Sequence, residues 1–305
     1  MEKNIVFSLQ SNNYVAEKVA KRFNAELGVV SIDTFADGEV LVKTLSDVKD
    51  KNVYIIESTA KNAHETLFML LLLVDSVKRS GAKSVRLFIP YFGYSRQERV
   101  SWFNEPVSCE VVAKILDTAE VDEIITFDLH HHDIENFFKT KFTSLPTTKL
   151  FKDYYLRYFK DHKIDLKDVV IVSPDHGSNT RADLLVKELK GSKKTILSKR
   201  RPKPNLAEHL EVEVSEVKDK VCIIIDDIID TGGTIISAAD LLIRSGAKSV
   251  LVAASHGVFS PNSINKLLES PVDDIVVTNS IEKRLPSNIH VVDISELITL
   301  WKTSI

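Results

Sequence analysis

The sequence is poor in cysteine and contains no long apolar run. Its 305 residues include two cysteines, Cys109 and Cys222, and both lie within apolar stretches. We therefore expect buried free thiols, as is usual in a reducing compartment, and no disulfide. The longest apolar run, Leu67 to Val74, is too short to cross a bilayer. The N-terminus leads straight into a strand-like run, so we expect no signal peptide, no membrane association and a cytoplasmic location.

The sequence also lacks an excess of basic residues. Lysine and arginine number 40 against 43 aspartates and glutamates, which gives a formal net charge of −3. Non-specific nucleic-acid binding depends on a basic field, so we expect no nucleic-acid partner. The length suits two domains of about 100–200 residues each.

Short β-branched runs alternate with helical patterns along the whole chain. Such alternation predicts an α/β protein with parallel sheets flanked by helices. The predicted strands are Ile5–Ser8, Val29–Thr34, Val53–Ser58, Val85–Pro90, Glu123–Asp128, Val169–Ser173, Lys194–Lys199, Val221–Asp226, Ser249–Ser255, Asp274–Thr278 and His290–Asp293. The predicted helices are Tyr14–Asn24, Ala63–Ser80, Ser108–Ala119, Thr148–Asp161, Thr180–Glu188, Thr234–Ser245 and Ser263–Glu269.

Two short matches indicate an internal duplication. The segment Ser80–Val85 (SGAKSV) recurs as Ser245–Val250, and Val48–Lys51 (VKDK) recurs as Val217–Lys220. Two matches in the same order favour two copies of one domain over chance. We place the boundary near Pro146, which predicts domains 1–146 and 147–305, with the last helix a candidate to pack back on the first domain.

The stretch Val221–Ser245 carries the strongest functional signal. A buried-strand pattern leads into Asp226 and Asp227, where we expect the strand to end, and a glycine-containing turn then opens a helix. Converging backbone N–H groups at a helix N-terminus form an anion cradle. The adjacent carboxylates suit sugar hydroxyls or Mg²⁺, so we infer a sugar-phosphate ligand. A helix-capping surface turn is the alternative, and two carboxylates before DTGGT are more specific than that.

The first copy lacks this cradle. The corresponding place reads Glu57–His64 (ESTAKNAH) and contains no glycine. The duplication therefore predicts sugar-phosphate binding in the second copy only.

Four further segments carry residue types suited to ligands, each with a plainer alternative. The segment Phe35–Val40 predicts a hairpin turn, with base stacking as the less favoured option. The segment Tyr91–Arg99 could bind phosphate oxygens or be a solvated loop. In Asp128–Asp133, His130 is the candidate ligand, and His131 and His132 are interpreted as polar loop residues. The segment Ser173–Ser178 places Asp175 at a strand end, where open α/β sheets bind ligands.

A basic run, Lys199–Asn205 (KRRPKPN), follows a predicted strand. Its two prolines predict an extended loop. A charge run is usually a solvated face or an interaction patch, and in a polyphosphate enzyme a cationic loop can close over the transition state.

Taken together, these segments resemble the ribose-phosphate diphosphokinase (phosphoribosyl pyrophosphate synthetase) family over nearly the whole chain. The resemblance rests on seven ordered motifs, which are FADGE at 35–39, GYSRQER at 93–99, FDLH at 127–130, SPDHG at 173–177, KRRPKPN at 199–205, DDIIDTGGT at 226–234 and VVTNSI at 276–281. It implies two tandem phosphoribosyltransferase-type domains, each a mostly parallel sheet flanked by helices.

The resemblance also implies substrates, a cofactor and residue roles. The substrates would be ATP and ribose 5-phosphate, the cofactor Mg²⁺, and the assembly a homo-oligomer, from dimer to hexamer, whose ATP site is shared between subunits. Ribose 5-phosphate would be bound by Asp226, Asp227, Asp230, Thr231, Gly232, Gly233 and Thr234. ATP would be bound by Phe35, Asp37, Glu39, Arg96, Gln97 and His130, the metal by His130 and Asp175, and the catalytic loop would contribute Lys199 and Arg201.

The chain departs from the family pattern in two places. The segment Val100–Pro106 carries apolar and neutral residues where the family usually has basic ones, which help to bind regulatory phosphate and ADP. His131 and His132 stand where smaller residues are usual. We therefore expect an enzyme with little dependence on free phosphate. The competing interpretations are a phosphoribosyltransferase that consumes phosphoribosyl pyrophosphate, a non-catalytic regulatory relative, and, with only the short basic loop behind it, a nucleic-acid-binding module.

Overall fold

The computed structural model describes residues 3–200 and 209–303. The chain divides into two compact units. The first contains Met1–Leu145, Ser280–Glu282 and Asp293–Ile305, and the second contains Pro146–Asn279 and Lys283–Val292. Each unit is an α/β structure with its own sheet and core.

Up to residue 145, the described part of the first unit contains eight strands and three α-helices. Their bounds are β1 Asn4–Phe7, α1 Asn13–Phe23, β2 Glu26–Leu27, β3 Val30–Thr34, β4 Val40–Thr44, β5 Asn52–Ile56, α2 Ala63–Arg79, β6 Ser84–Ile89, α3 Ser108–Asp117, β7 Glu123–Phe127 and β8 Phe142–Leu145. A 3₁₀ helix, His132–Phe137, lies between β7 and β8.

The second unit repeats the pattern with the helices and strands that follow in the chain. Their bounds are α4 Thr148–His162, β9 Val169–Ser173, α5 Asn179–Glu188, β10 Lys193–Ile196, β11 Ser198–Arg200, β12 His209–Glu211, α6 Val214–Val217, β13 Val221–Ile229, α7 Gly233–Arg244, β14 Ser249–Gly257, α8 Ser263–Leu268, β15 Asp274–Thr278 and β16 Ile289–Val292. The last helix, α9 Ser295–Thr303, belongs to the first unit.

The two units share one topology. The first has a parallel six-stranded sheet in the order β2-β1-β5-β6-β7-β8, and the second has the order β10-β9-β13-β14-β15-β16. Each adds a separate antiparallel hairpin, β3–β4 or β11–β12, after its second strand. Strands β5, β7, β9 and β15 are buried at every residue, which explains why their sequences are mostly apolar.

The two repeated sequence motifs contact each other within each copy. The backbone N–H of Asp50 donates to the carbonyl of Gly81 over 2.9 Å, and Asp219 donates to Gly246 over 2.8 Å. Both glycines have positive φ, +88° and +89°, a conformation that glycine adopts without a Cβ penalty. The motifs are therefore the two sides of one turn-to-turn contact, which confirms the α/β duplication physically.

The predicted end of the central strand was wrong. Strand β13 continues through Asp226 and Asp227 to Ile229, because it remains paired with β14 as far as Ile229 opposite Gly257. Its pairing with β9 stops at Ile224. The β13–β14 pair thus extends past its neighbour and presents the two carboxylates on regular backbone.

Other differences concern short edge elements. Lys199 and Arg200 lie in strand β11, paired with β12, where the sequence predicted a loop from Lys199 onward. The rest of the basic run, including Arg201, lies outside the described residues. Strands β2, β8 and β12 were not predicted because two to four residues give too little periodicity to recognise.

Two late segments complete the first unit. The carbonyl of Ser280 accepts hydrogen bonds from the side chains of Asn12 and Ser58. Helix α9 packs against α1, with a Lys18–Asp293 ion pair of 2.6 Å and the Trp301 ring edge-on to Phe88.

Both cysteines are buried free thiols, as expected, and burial raises the pKa of each to about 12. Within residues 3–200 and 209–303, none of the helices has the length and apolar character needed to span a membrane.

Candidate active site

Two adjacent carboxylates form the centre of the candidate site in the second unit. Asp226 Oδ1 accepts hydrogen bonds from the Ser178 hydroxyl over 2.6 Å and from the Asp227 backbone N–H over 2.9 Å. Asp227 is 4% exposed and has an ion pair of 3.7 Å with Arg181. Strands β9 and β13 are neighbours, so the loop after β9 reaches the carboxylates on β13.

The surroundings of Asp226 favour its protonated form. Burial, and then the charge of Asp227, raise the pKa of Asp226 to about 7, against the opposing hydrogen bond from Ser178. A ligand that supplies positive charge or hydroxyl donors would relieve the repulsion between the two carboxylates.

Sequence reasoning missed Ser178 and Arg181. Arg181 lies in the first turn of α5 and is 8% exposed, together with the buried Ala182 and Leu185 of the same helix face. An arginine on the apolar side of a helical pattern was the available signal, because an arginine is almost never fully buried without a charged partner.

The turn after β13 leads into an uncapped helix N-terminus. Helix α7 has Gly232 as its N-cap residue, with φ of +79°, no side-chain cap and no acidic residue in its first turn. Thr231, Gly233 and Thr234 are exposed. The first N–H groups of α7 are thus not used by a capping side chain, which leaves donors and the helix dipole for an anion.

Contacts with Ser260 and Leu267 hold the rest of the turn in place. The Ser260 hydroxyl donates to the Asp230 carboxylate, and the Ser260 backbone N–H donates to the Asp230 carbonyl over 3.1 Å. A Cβ on Gly232 would lie 3.0 Å from Leu267, so that position combines positive φ with a close neighbour. The turn is therefore held in one shape before any ligand arrives.

Asp175 follows β9, at the same edge of the sheet as the carboxylate pair. Its Oδ1 accepts from the Ser178 backbone N–H over 3.1 Å, and its carbonyl accepts from the Ser173 hydroxyl over 2.6 Å. Ser178 thus contacts both Asp175 and Asp226. The structure brings these sequence-predicted residues together around one serine.

The donor set of this edge suits a hard divalent cation. Asp175 lies in the loop after β9, and Asp226 and Asp227 lie within the neighbouring strand β13; a cation would relieve the mutual repulsion of the pair. Mg²⁺ binds through one or two carboxylates, waters and substrate phosphates. The residues present therefore fit Mg²⁺.

In the first unit, Arg96 and Gln97 follow β6 on an exposed loop. The loop is fixed where Gly93 approaches Thr59, whose hydroxyl accepts from the Gly93 N–H over 2.7 Å. A Cβ on Gly93 would lie 2.4 Å from the Thr59 carbonyl oxygen, so only glycine fits there. The Gln97 side chain accepts from the Ser108 hydroxyl over 2.7 Å.

His130 follows β7, the strand next to β6 in the same sheet. It is half-buried, between the buried Leu129 and the histidines that begin the 3₁₀ helix. Asp128, at the strand exit, has φ of +34°. The structure therefore places His130 and Arg96 at the carboxyl ends of adjacent strands of the first unit.

The segment Phe35–Glu39 forms the predicted hairpin turn between β3 and β4. Phe35 is 54% exposed, and the Asp37 side chain accepts from the Glu39 backbone N–H over 3.1 Å. Gly38 has φ of +93° and nothing near its Cβ position. The tip of the hairpin is exposed to solvent, so Phe35 is accessible to another molecule.

The segment Val100–Pro106 exposes apolar side chains. Trp102 is 78% and Phe103 is 92% exposed. An apolar groove of about 410 Å³ opens between α2 and α3, lined by Phe68, Val111 and Pro106 among others. The surface at this segment is therefore apolar where a regulatory phosphate would require cations.

Two family models match the chain. The first describes the N-terminal domain of ribose phosphate pyrophosphokinase and covers residues 4–119. The second describes a phosphoribosyl synthetase-associated domain and covers residues 197–301.

Curated relatives and a solved structure match over most of the chain. A ribose-phosphate pyrophosphokinase 1 of Listeria monocytogenes is 41% identical over 277 residues, which are 90% of this chain and 85% of the relative. A ribose-phosphate pyrophosphokinase of Bacillus cereus is 39% identical over 296 residues, covering 96% and 91%. The crystal structure of phosphoribosylpyrophosphate synthetase from Mycobacterium smegmatis superposes with a TM-score of 0.87 at 31% identity, covering 99% and 98%.

Proposed function

The chain belongs to the ribose-phosphate pyrophosphokinase family, and from that premise we propose that it transfers the diphosphoryl group of ATP to ribose 5-phosphate. The products are 5-phosphoribosyl 1-diphosphate and AMP. The anomeric hydroxyl oxygen forms a bond to the β-phosphorus, and the bond from that phosphorus to the oxygen shared with the α-phosphate breaks.

The observation that carries this proposal is the uncapped N-terminus of α7 beside two buried carboxylates. The turn Asp230–Thr234, with Thr231, Gly232 and Gly233 between, is proposed to hold the 5-phosphate with its N–H groups and hydroxyls. Asp226 and Asp227 are proposed to accept hydrogen bonds from the sugar hydroxyls. Arg181 keeps Asp227 oriented for that task.

The nucleotide roles follow the family resemblance. Arg96, Gln97 and His130 are proposed to bind ATP, and the exposed tip residues Phe35, Asp37 and Glu39 to bind the adenine and ribose of ATP in a neighbouring copy. The last role requires a homo-oligomer. Lys199 and Arg201 are proposed to neutralise charge as the phosphoryl group transfers.

Mg²⁺, proposed to be held by Asp175 and His130, would supply charge neutralisation on the phosphate oxygens. Phosphoryl transfer needs mainly positioning and charge, so no strong general base is required among the protein residues. The carboxylate pair orients the sugar, and the turn at α7 fixes its other end.

The direct test is to incubate the purified protein with Mg²⁺, ATP and ribose 5-phosphate, and to follow AMP with and without inorganic phosphate. We expect AMP only when ribose 5-phosphate is present, and little change on adding phosphate. A transferase that consumes phosphoribosyl pyrophosphate, or a non-catalytic regulatory relative, would give no AMP. A steep phosphate requirement would refute the regulatory part of the proposal while leaving the activity in place.

A further inference from the structure

Three potential metal ligands follow one another at the start of the 3₁₀ helix after β7. His131, His132 and Asp133 place one ligand atom each within 4.8 Å of the other two. Across residues 3–200 and 209–303, this is the one group of three or more histidine, cysteine or acidic side chains that meets such a spacing. From sequence alone, the two histidines are expected to be polar loop residues.

The separations match a metal coordination shell. His131 Nδ1 lies 3.4 Å from Asp133 Oδ2, and His132 Nε2 lies 3.2 Å from Asp133 Oδ1. Two ligand atoms that are each about 2.0–2.2 Å from a tetrahedral zinc stand about 3.3–3.5 Å apart. Both nitrogen–oxygen pairs, which use the two different oxygens of Asp133, are therefore near the required distance, and the three ligand atoms lie within 4.8 Å of one another.

The ligands are held by the fold on both sides. The buried Leu129 and Ile134 anchor the backbone just before and just after them. The two imidazole rings stack with their centroids 4.6 Å apart and their planes 27° from parallel. The stacking holds the two rings together at the start of the 3₁₀ helix His132–Phe137.

The hydrogen bonding leaves the site available. His131 Nδ1 accepts from the Asp133 backbone N–H over a long 3.3 Å. A metal ion at this nitrogen would replace one weak bond. His132 is exposed, and so is Asp133, which leaves room for water ligands on the solvent side.

We propose that His131, His132 and Asp133 together bind one divalent transition-metal ion, such as Zn²⁺, Ni²⁺ or Co²⁺, with water completing its coordination. Imidazole nitrogens select these ions over Mg²⁺, which prefers oxygen ligands and keeps its waters. The site is thus chemically distinct from the Mg²⁺ role proposed for Asp175 and His130.

The test is metal titration of the purified protein in excess Mg²⁺, by calorimetry with Zn²⁺ and by visible absorption with Co²⁺. We expect one ion per chain. The variants His131→Ala, His132→Ala and Asp133→Asn should each weaken binding at least about tenfold, since each removes a direct ligand. The matched control is His162→Ala, because His162 is an exposed histidine that follows Asp161 on α4 and has no histidine beside it.

Unchanged affinity in the three variants would overturn the proposal, and so would an equal loss in the control. Loss of binding in His130→Ala with full binding in the other variants would also overturn it, because the ion would then use the proposed nucleotide site. Circular dichroism before metal addition separates loss of a ligand from loss of fold. The positions are on the surface, so the folded signal should be unchanged.

A consequence for catalysis rests on the proposed function. The ion would add positive charge and bulk directly after His130, which is proposed to bind ATP, so Zn²⁺ should lower AMP formation at saturating Mg²⁺ in the parent protein. His132→Ala should keep its basal rate and lose this inhibition. Inhibition that persists in His132→Ala would overturn the coupling. Because binding is measured without substrates, a missing AMP signal would count against the proposed function and leave the binding result intact.

Discussion

The two copies of the domain have the same strand order, but the acidic residue at one equivalent position has different surroundings in each copy. Glu57 and Asp226 each follow directly after the buried part of the third strand of their sheet. The Glu57 carboxylate is 1% exposed and accepts four hydrogen bonds, from the Ser8 hydroxyl and the N–H groups of Leu9, Gln10 and Ser11. Asp226 accepts from the Ser178 hydroxyl and from the neighbouring Asp227 N–H.

The first turns of the corresponding helices, α2 and α7, also differ between the two copies. Helix α2 carries Glu65 in its first turn, where the Asn62 side chain donates to it over 2.8 Å. Helix α7 has no acidic residue there and begins at a glycine. In the first copy the loops and the helix start are matched by the protein's own anions. In the second copy the first turn of α7 has no acidic residue, and we propose that a ligand takes that place.

The largest effect should come from the hairpin of the second copy. Lys199→Ala should lower kcat at least about 100-fold with little change in ribose 5-phosphate affinity, because it removes a cation from the transition state only. Steady-state AMP formation measures both quantities. Lys193→Ala, an exposed lysine on the edge strand β10, is the control and should turn over normally. Near-normal turnover in Lys199→Ala would remove the hairpin from the chemistry.

Substitution of Asp226, in the second copy, should weaken the use of ribose 5-phosphate. Asp226→Asn keeps the shape and removes the charge, so kcat/KM for ribose 5-phosphate should fall about 10–100-fold, the usual worth of a hydrogen bond to a charged group. The exposed Asp240 of α7 gives the control variant Asp240→Asn. Equal kinetics of the two variants would contradict a sugar-binding role for Asp226.

The carboxylate of the first copy should matter for stability. Glu57→Gln replaces one acceptor oxygen by an amide that faces backbone N–H donors, so the free energy of unfolding should fall by about 2–4 kcal/mol. Urea denaturation measures this, and KM for ribose 5-phosphate should stay unchanged. The exposed Glu65→Gln should cost less than about 0.5 kcal/mol. A large rise in KM with intact stability would mean that the first copy also binds substrate.

The smallest expected effect is a difference in pH dependence. The folded pKa of Asp226 is raised to about 7 from 3.8, so its protonated form stabilises the fold. That contribution is complete below about pH 4 and is lost as the pH rises through 7. The parent should therefore lose stability relative to Asp226→Asn between about pH 4 and pH 7, by up to about 1 kcal/mol per pH unit, and the difference should level off above pH 7. Urea titrations in a chelator test this, and parallel curves would show that Asp226 ionises normally.

The sequence was a good guide where local pattern decides structure. The buried runs of β9 and β15 are strands with the predicted bounds. The missing glycine at Glu57–His64 keeps its status as a prediction that only the second copy binds sugar phosphate. The continuation of β13 to Ile229 was not predictable, because it depends on how far β14 stays alongside after β9 has ended. The four donors to Glu57 come from a loop 46 to 49 residues away, which only tertiary structure brings close.

At the candidate site, some residues were indicated by local sequence and others were found only from the fold. Motifs indicated Asp226 and Asp227 directly, since acidic residues before DTGGT carry their own signal. Ser178 and Arg181 became visible only when α5 was placed beside β13, because their partners lie 48 and 46 residues further along the chain. Local sequence therefore indicated the two carboxylates proposed to face the ligand, and the fold revealed the side chains that contact them.

The most direct test of this account is a crystal structure of the protein soaked with ribose 5-phosphate. We predict density for one sugar phosphate per chain, with its phosphate against the N–H groups of Gly233 and Thr234 and its hydroxyls at Asp226 and Asp227. No density is expected at Glu57–His64. An empty turn at the start of α7, or a sugar phosphate seated beside Glu57, would contradict the division between a closed first copy and a ligand-binding second copy.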